Sequence, residues 1–199
     1  MLAALMLVIF GFDKLIRSRL AEQGVEKGNS WQKLKALLHD PLRFGSLWQM
    51  VYMNFTVSGI GIFMAVKLDE IFRVWPAREE RISLTGHWHI LAGIIATIIL
   101  FYYADLAGLK GKSRRWFGWL VILGSDLAFG AMTVFSMKRL ILVNEGAQQS
   151  LAKWAILFAD VGLVTVLLVL AALMVWRLID LFKKRGRWAE ELADEEGVR

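Results

Sequence analysis

Apolar residues fall into four long runs separated by charged segments, and each run is long enough to cross a bilayer, which takes about 20 residues. The first extends from Phe44 to Val66, the second from Leu84 to Tyr103, the third from Trp116 to Met137 and the fourth from Trp154 to Leu178. A shorter run, Leu2 to Phe12, precedes them. No cation stands before it, and Asp13-Lys14 follows where a cleavage site would need small residues, so it reads as a short hydrophobic N-terminal helix. Between Ser30 and Pro41, Trp31, Leu34, Leu37 and Leu38 recur at helical spacing, with Lys33 and Lys35 on the other face. That pattern predicts an amphipathic helix lying on a membrane surface, capped by Ser30 and ended by Pro41. The expected fold class is an all-α integral membrane protein with about four transmembrane helices, a short N-terminal hydrophobic helix and a cytoplasmic amphipathic helix. Its parts are the hydrophobic helix (1–12), the amphipathic segment (13–43), a four-helix transmembrane domain (44–178) and a charged tail (179–199).

Composition supports the membrane class. Apolar residues make up 57 % of the chain, against about 45–50 % for soluble domains. Cysteine is absent, which excludes a disulfide scaffold, an iron–sulfur cluster, a Cys-zinc site and a cysteine nucleophile on this chain. The net charge of +6 would point to nucleic acid in a soluble protein. Here topology explains it. If 13–43, the loop around Lys110–Arg115 and everything from Arg177 onward share one side, that side holds 17 of the 24 cations. The positive-inside rule places it in the cytoplasm, C-terminus included, with the loops 67–83 and 138–153 on the opposite side. A bacterial inner membrane is the expected location, and no nucleic-acid partner is needed.

Polar groups at membrane depth are costly and usually have a reason, so they are the candidates for chemistry. His39 falls on the surface helix. His87 and His89 share the outer end of the second span, in Gly86-His87-Trp88-His89-Ile90-Leu91-Ala92-Gly93. Positions two apart differ by about 200° around a helix, so the rings face apart. They cannot share one metal ion from a regular helix, but each can meet a different cofactor, and Ala92, Gly93 and Ala96 would let a flat ring approach. A solvated or locally bonded histidine is the plainer reading.

The run Leu84-Thr85-Gly86-His87-Trp88-His89 resembles the His-x-His helix of the haem–copper oxidase catalytic subunit, and most of all its nitric oxide reductase branch (the cytochrome b subunit). Asn54-Phe55 with Gly59, Gly61 and Phe63 resembles the helix before it, Gly124-Ser125-Asp126 the helix after it, and Ala159-Asp160-Val161-Gly162 the last. The resemblance covers roughly Phe44 to Leu178, the C-terminal helices of that subunit. It implies haem b, one or two groups, bound at iron through His87, His89 or both, and it suggests Arg78 or Arg81 for the haem propionates. The family's other metal ligands lie on helices outside this chain. The resemblance therefore implies a non-autonomous oxidoreductase subunit whose partners are other integral membrane subunits with the complementary helices, fed by a quinol or cytochrome c. The alternative is a haem-free structural or assembly subunit; a small transporter is disfavoured for want of an inverted repeat.

Two acids complete the candidates. Asp126 falls near the middle of the third span and Asp160 in the first third of the fourth. Each is expected either to bond a neighbouring helix, with Asn54, Thr56, Ser58 and Ser125 as candidate partners, or to belong to a proton path, the structural role being favoured. The segment holding Asp69, Glu70, Arg73, Arg78, Glu79, Glu80 and Arg81 reads as a solvated mixed-charge loop.

Overall fold

A computed structural model describes residues 2–53 and 59–183. Among them every regular element is helical and no strand occurs. The order is α1 (Leu2–Glu22), α2 (Ser30–His39), α3 (Pro41–Tyr52), α4 (Ile60–Val66), a π-helical turn (Leu68–Phe72), α5 (Ala77–Leu106), α6 (Gly111–Ser136), the short α7 (Lys138–Ile141) and α8 (Glu145–Phe182). Three helices, α5, α6 and α8, are long and apolar enough to cross a membrane. The expectation of about four is thus met in part. The run Phe44 to Val66 is described as α3 and α4, of 12 and 7 residues. At about 1.5 Å per residue neither piece alone crosses a hydrocarbon core of about 30 Å. Asn54, Thr56, Ser58 and the tail from residue 184 lie outside the described residues.

Three boundaries differ from expectation for local reasons. The N-terminal helix does not stop at Phe12 but runs 21 residues to Glu22, through Asp13 and Arg17, which pair at 2.7 Å one turn apart. The cap of α2 is Asn29 and not Ser30: its side chain accepts from Gln32 N–H at 2.8 Å, and Gln32 returns the bond to Asn29 N–H at 3.0 Å. This reciprocal capping box satisfies two otherwise orphaned donors. Helix α2 stops at His39, just ahead of Pro41 as expected, but α3 starts at Pro41 and not at Phe44, because at a helix start the missing N–H costs nothing.

Helices α5, α6 and α8 run alternately up and down, and α6 packs against both of the others. Small residues set the spacing. Gly124 of α6 and Gly162 of α8 meet backbone to backbone, and a β-carbon on Gly162 would lie 2.6 Å from the Ala128 nitrogen. Close approach of this kind is how helices associate where no hydrophobic drive exists between them. Gly162→Leu is expected to cost about 1–3 kcal/mol through overpacking, visible as a lower melting temperature in detergent; an unchanged value would show that α8 is not seated there. Helix α3 lies against both α5 and α6: Gly45 receives the Phe101 ring, and Gly118 receives the backbone of Pro41 and Leu42. Leu42, Phe101, Ala104, Phe117, Val121 and Leu173 form the main apolar core. The α5–α6 turn bends at Gly108 and Gly111, with φ of 71° and 59°, values that a β-carbon would strain.

Ion pairs mark both ends of the bundle. At one end Arg114 reaches Asp40 at 2.7 and 2.9 Å and Asp105 at 2.6 Å, while Arg43 bonds Glu22 of α1 at 2.7 Å. Arg177 of α8 donates to the Ala107 carbonyl at the same end. At the other end Lys138 bonds Glu79, and Ser83 Oγ donates to the Ser136 carbonyl at 2.6 Å. Arg78, Glu79, Glu80 and Arg81 are therefore the opening turns of α5, not a loop. Acidic side chains there complement the helix dipole.

Candidate functional site

The His-x-His segment lies in the first half of α5, where the helix divides cleanly by exposure. Ser83, Gly86, Ile90, Ile94, Thr97, Phe101 and Ala104 are buried against the bundle. Arg78, Arg81, Thr85, Trp88, His89, Ala92, Ile95, Ala96 and Ile99 are exposed. The two histidines fall on different sides of that division.

His89 stands on the open face. Its Nδ1–H donates to the Thr85 carbonyl, one turn earlier, at 2.8 Å. A carbonyl only accepts, so the proton sits on Nδ1, and in the neutral ring the Nε2 lone pair is left outward. Fixing one ring nitrogen by a backbone bond so that the other is presented is how protein histidines are prepared to ligate metal. Beyond the His89 ring on the same helix, Ala92 and Ala96 are exposed and small. Trp88 beside it is 68 % exposed.

His87 is half-buried and turned toward α4. A β-carbon on Gly61 would lie 2.9 Å from His87 Nε2 and 3.0 Å from Cε1, so the α4 backbone rests against those two atoms. Glycine at 61 is what permits the contact. No hydrogen bond or ion pair involves His87 among the described residues. The ring is thus in contact with α4 on one side.

Arg78 and Arg81 are both exposed and unpaired among the described residues. Arg78 is close to His89 in azimuth, about 20° away, and about 16 Å along the axis; Arg81 is nearer, about 12 Å, but about 80° round. His39 is the C-terminal residue of α2, one position before Asp40 and hence at the Arg114 end. The structure does not bring it to the His89 face.

The two acids part company. Asp126 turns toward α3, where Trp48 Nε1–H donates to its Oδ2 at 2.6 Å and Gln49 Nε2–H to its Oδ1 at 3.1 Å. Gln49 also donates to Ser125 Oγ at 2.9 Å and is wholly buried. Of the candidate partners from sequence, Ser125 enters this network through Gln49, whereas Asn54, Thr56 and Ser58 lie outside the described residues. Trp48 and Gln49 were the residues missed. The signal was present: Leu42, Gly45 and Gln49 share helical spacing, which puts the amide on the face of α3 that packs. Asp160, by contrast, faces away from the bundle and is exposed, with no hydrogen bond or ion pair among the described residues. No group of three or more histidine, aspartate or glutamate side chains placed to hold a metal ion occurs among the described residues.

No family model matches this sequence, and no curated protein or solved structure does. The resemblance to the oxidase helices therefore rests on the residues quoted for it, and the functional reading rests on the geometry of α5.

Proposed function

We propose that this chain is an integral membrane subunit of a respiratory-type redox complex that holds haem b through His89 and depends on a partner chain for the rest of the site. The observation that carries the reading is the His89 ring, held by the Thr85 carbonyl through Nδ1–H on an exposed face of α5. The residues present fit such a group at His89. Haem bound there would supply one-electron transfer. Thr85 keeps the ring in one tautomer; Ala92 and Ala96 beyond it are small and exposed. Arg78 and Arg81 provide exposed guanidinium groups on the same helix, suited to carboxylates such as propionates. His87 does not fit equally well, because α4 rests on its Nε2 and Cε1 atoms, and it is read as a packing residue. With His87 facing α4 and His39 at the other end of the bundle, neither of the other histidines would join His89 in holding the group, and a partner chain would supply the rest of the site.

The test is a reduced-minus-oxidised optical spectrum of the gently solubilised complex from cells carrying the wild-type chain or His89→Ala. A b-type band that falls to the background of the remaining cofactors in His89→Ala is the expected result. A band of unchanged height and position would remove the ligand role. A haem-free scaffold is the second reading, favoured by Asp126, whose bonds to Trp48 and Gln49 join α6 to α3 and suit a structural role.

A further inference from the structure

We infer that the outward face of α8 around Asp160 is a contact surface for a transmembrane helix of another chain that presents a lysine or arginine at the same depth. The inference rests on the membrane reading proposed above and is independent of haem. Trp154 and Trp176 are 22 positions apart on α8, about 33 Å along the axis, which matches a hydrocarbon core of about 30 Å with an aromatic residue at each boundary. Asp160 then lies about 9 Å inside one boundary. It is exposed, and the side chains around it are exposed and apolar: Ile156 44 %, Leu157 49 %, Val161 49 % and Val164 51 %. Only 17 % of the apolar window of α8 is buried within the chain, so this surface faces lipid or a partner.

The other polar side chains described in the middle of the bundle each make at least one internal bond. Gln49, Ser125 and Asp126 bond one another and Trp48. Thr97, Thr133 and Thr165 each donate to the carbonyl one turn earlier. Asp160 alone among these has no such bond. The nearest cation on its face is Lys153, seven positions earlier, whereas ion pairs along one helix join residues three or four apart. A carboxylate against acyl chains is among the costliest arrangements a membrane protein can hold, and a cation on a second helix removes that cost for both groups at once. Charge complementarity thus selects a basic partner over a second copy of this chain, whose α8 would bring carboxyl against carboxyl. The face is also separate from that of His89, because α6 packs between α5 and α8.

The experiment uses the full chain in its host membrane. An alkaline carbonate wash comes first: release of the chain would remove the membrane reading itself, and retention leaves the contact open to test. Leu157 or Val164 is then replaced by photoreactive benzoylphenylalanine, and the cross-linked peptide is sequenced. The expected adduct joins an apolar segment of another chain that contains lysine or arginine. Its yield falls about ten-fold or more in Asp160→Leu, survives in Asp160→Glu, and returns when Asp160→Lys is combined with the partner's cation changed to aspartate. Asp160→Leu removes an exposed charge, so the isolated chain in detergent keeps or raises its melting temperature, which separates a lost contact from misfolding. Should that variant melt lower, Asp160→Asn takes its place. Adducts to lipid only, to a second copy only, or at equal yield without the carboxylate would overturn the inference.

Discussion

Arg114→Met is expected to destabilise the chain by about 2–4 kcal/mol. Its guanidinium joins Asp40, which precedes α3, to Asp105 in the last turn of α5, from a position in the first turn of α6. Three helices are thus pinned by one side chain. Removing a cation from a buried pair costs about 3–5 kcal/mol because the carboxylates are left behind. The side chains here retain 19 %, 22 % and 30 % of their exposure, so solvent relieves part of that cost. Arg43 cannot take over fully, since its nearest approaches to the same acids are 3.7 and 3.5 Å and it already bonds Glu22 at 2.7 Å. Arg114→Lys should recover only part of the loss, because an ammonium cannot reproduce the two-nitrogen grip on Asp40 while reaching Asp105. Thermal unfolding of the detergent-solubilised variants decides this; a lysine variant as stable as wild type would reduce the cluster to ordinary surface pairs.

Gln49→Leu and Asp126→Leu are each expected to cost about 1–2 kcal/mol, and the double variant little more than either alone. Each single change strands a polar group between helices: the first deprives the Asp126 carboxyl of one donor, and the second leaves the Gln49 amide and Trp48 indole short of an acceptor. Leaving one partner unsatisfied is costly, whereas replacing both by apolar groups of similar shape is nearly neutral. Interhelical bonds within membranes are worth no more than a kcal/mol or so each on average, which sets the scale. Strict additivity in the double-mutant cycle would show that the groups act separately.

What the sequence disclosed follows from the range of each signal. Helices α5, α6 and α8 were legible because a bilayer demands some 20 apolar residues in succession, a local property of the chain. Their true ends were less so. Arg78 to Arg81 look like a solvated loop by charge alone, yet they extend α5 because Pro76 and the acids Glu79 and Glu80 favour a helix start there. The opposed placement of His87 and His89 follows from helical periodicity, but which ring meets a neighbour depends on Gly61, 26 positions away. The Arg114 cluster was not legible: Asp40 and Arg114 are 74 residues apart, and nothing local to either foretells the pairing. Asp126 and Asp160 looked alike in sequence, each a lone acid in an apolar run. Packing separated them, since α6 turns its acid to α3 whereas Asp160 is exposed and has no bonding partner among the described residues.

Cavity rescue tests the proposed haem ligation by His89. The complex carrying His89→Gly is reduced with dithionite, its spectrum is recorded, and imidazole is added. The expected result is that the b-type band is lost in His89→Gly and returns with imidazole, while His87→Gly keeps the band throughout. A wild-type band in His89→Gly without imidazole, or a band lost and rescued only in His87→Gly, would contradict it.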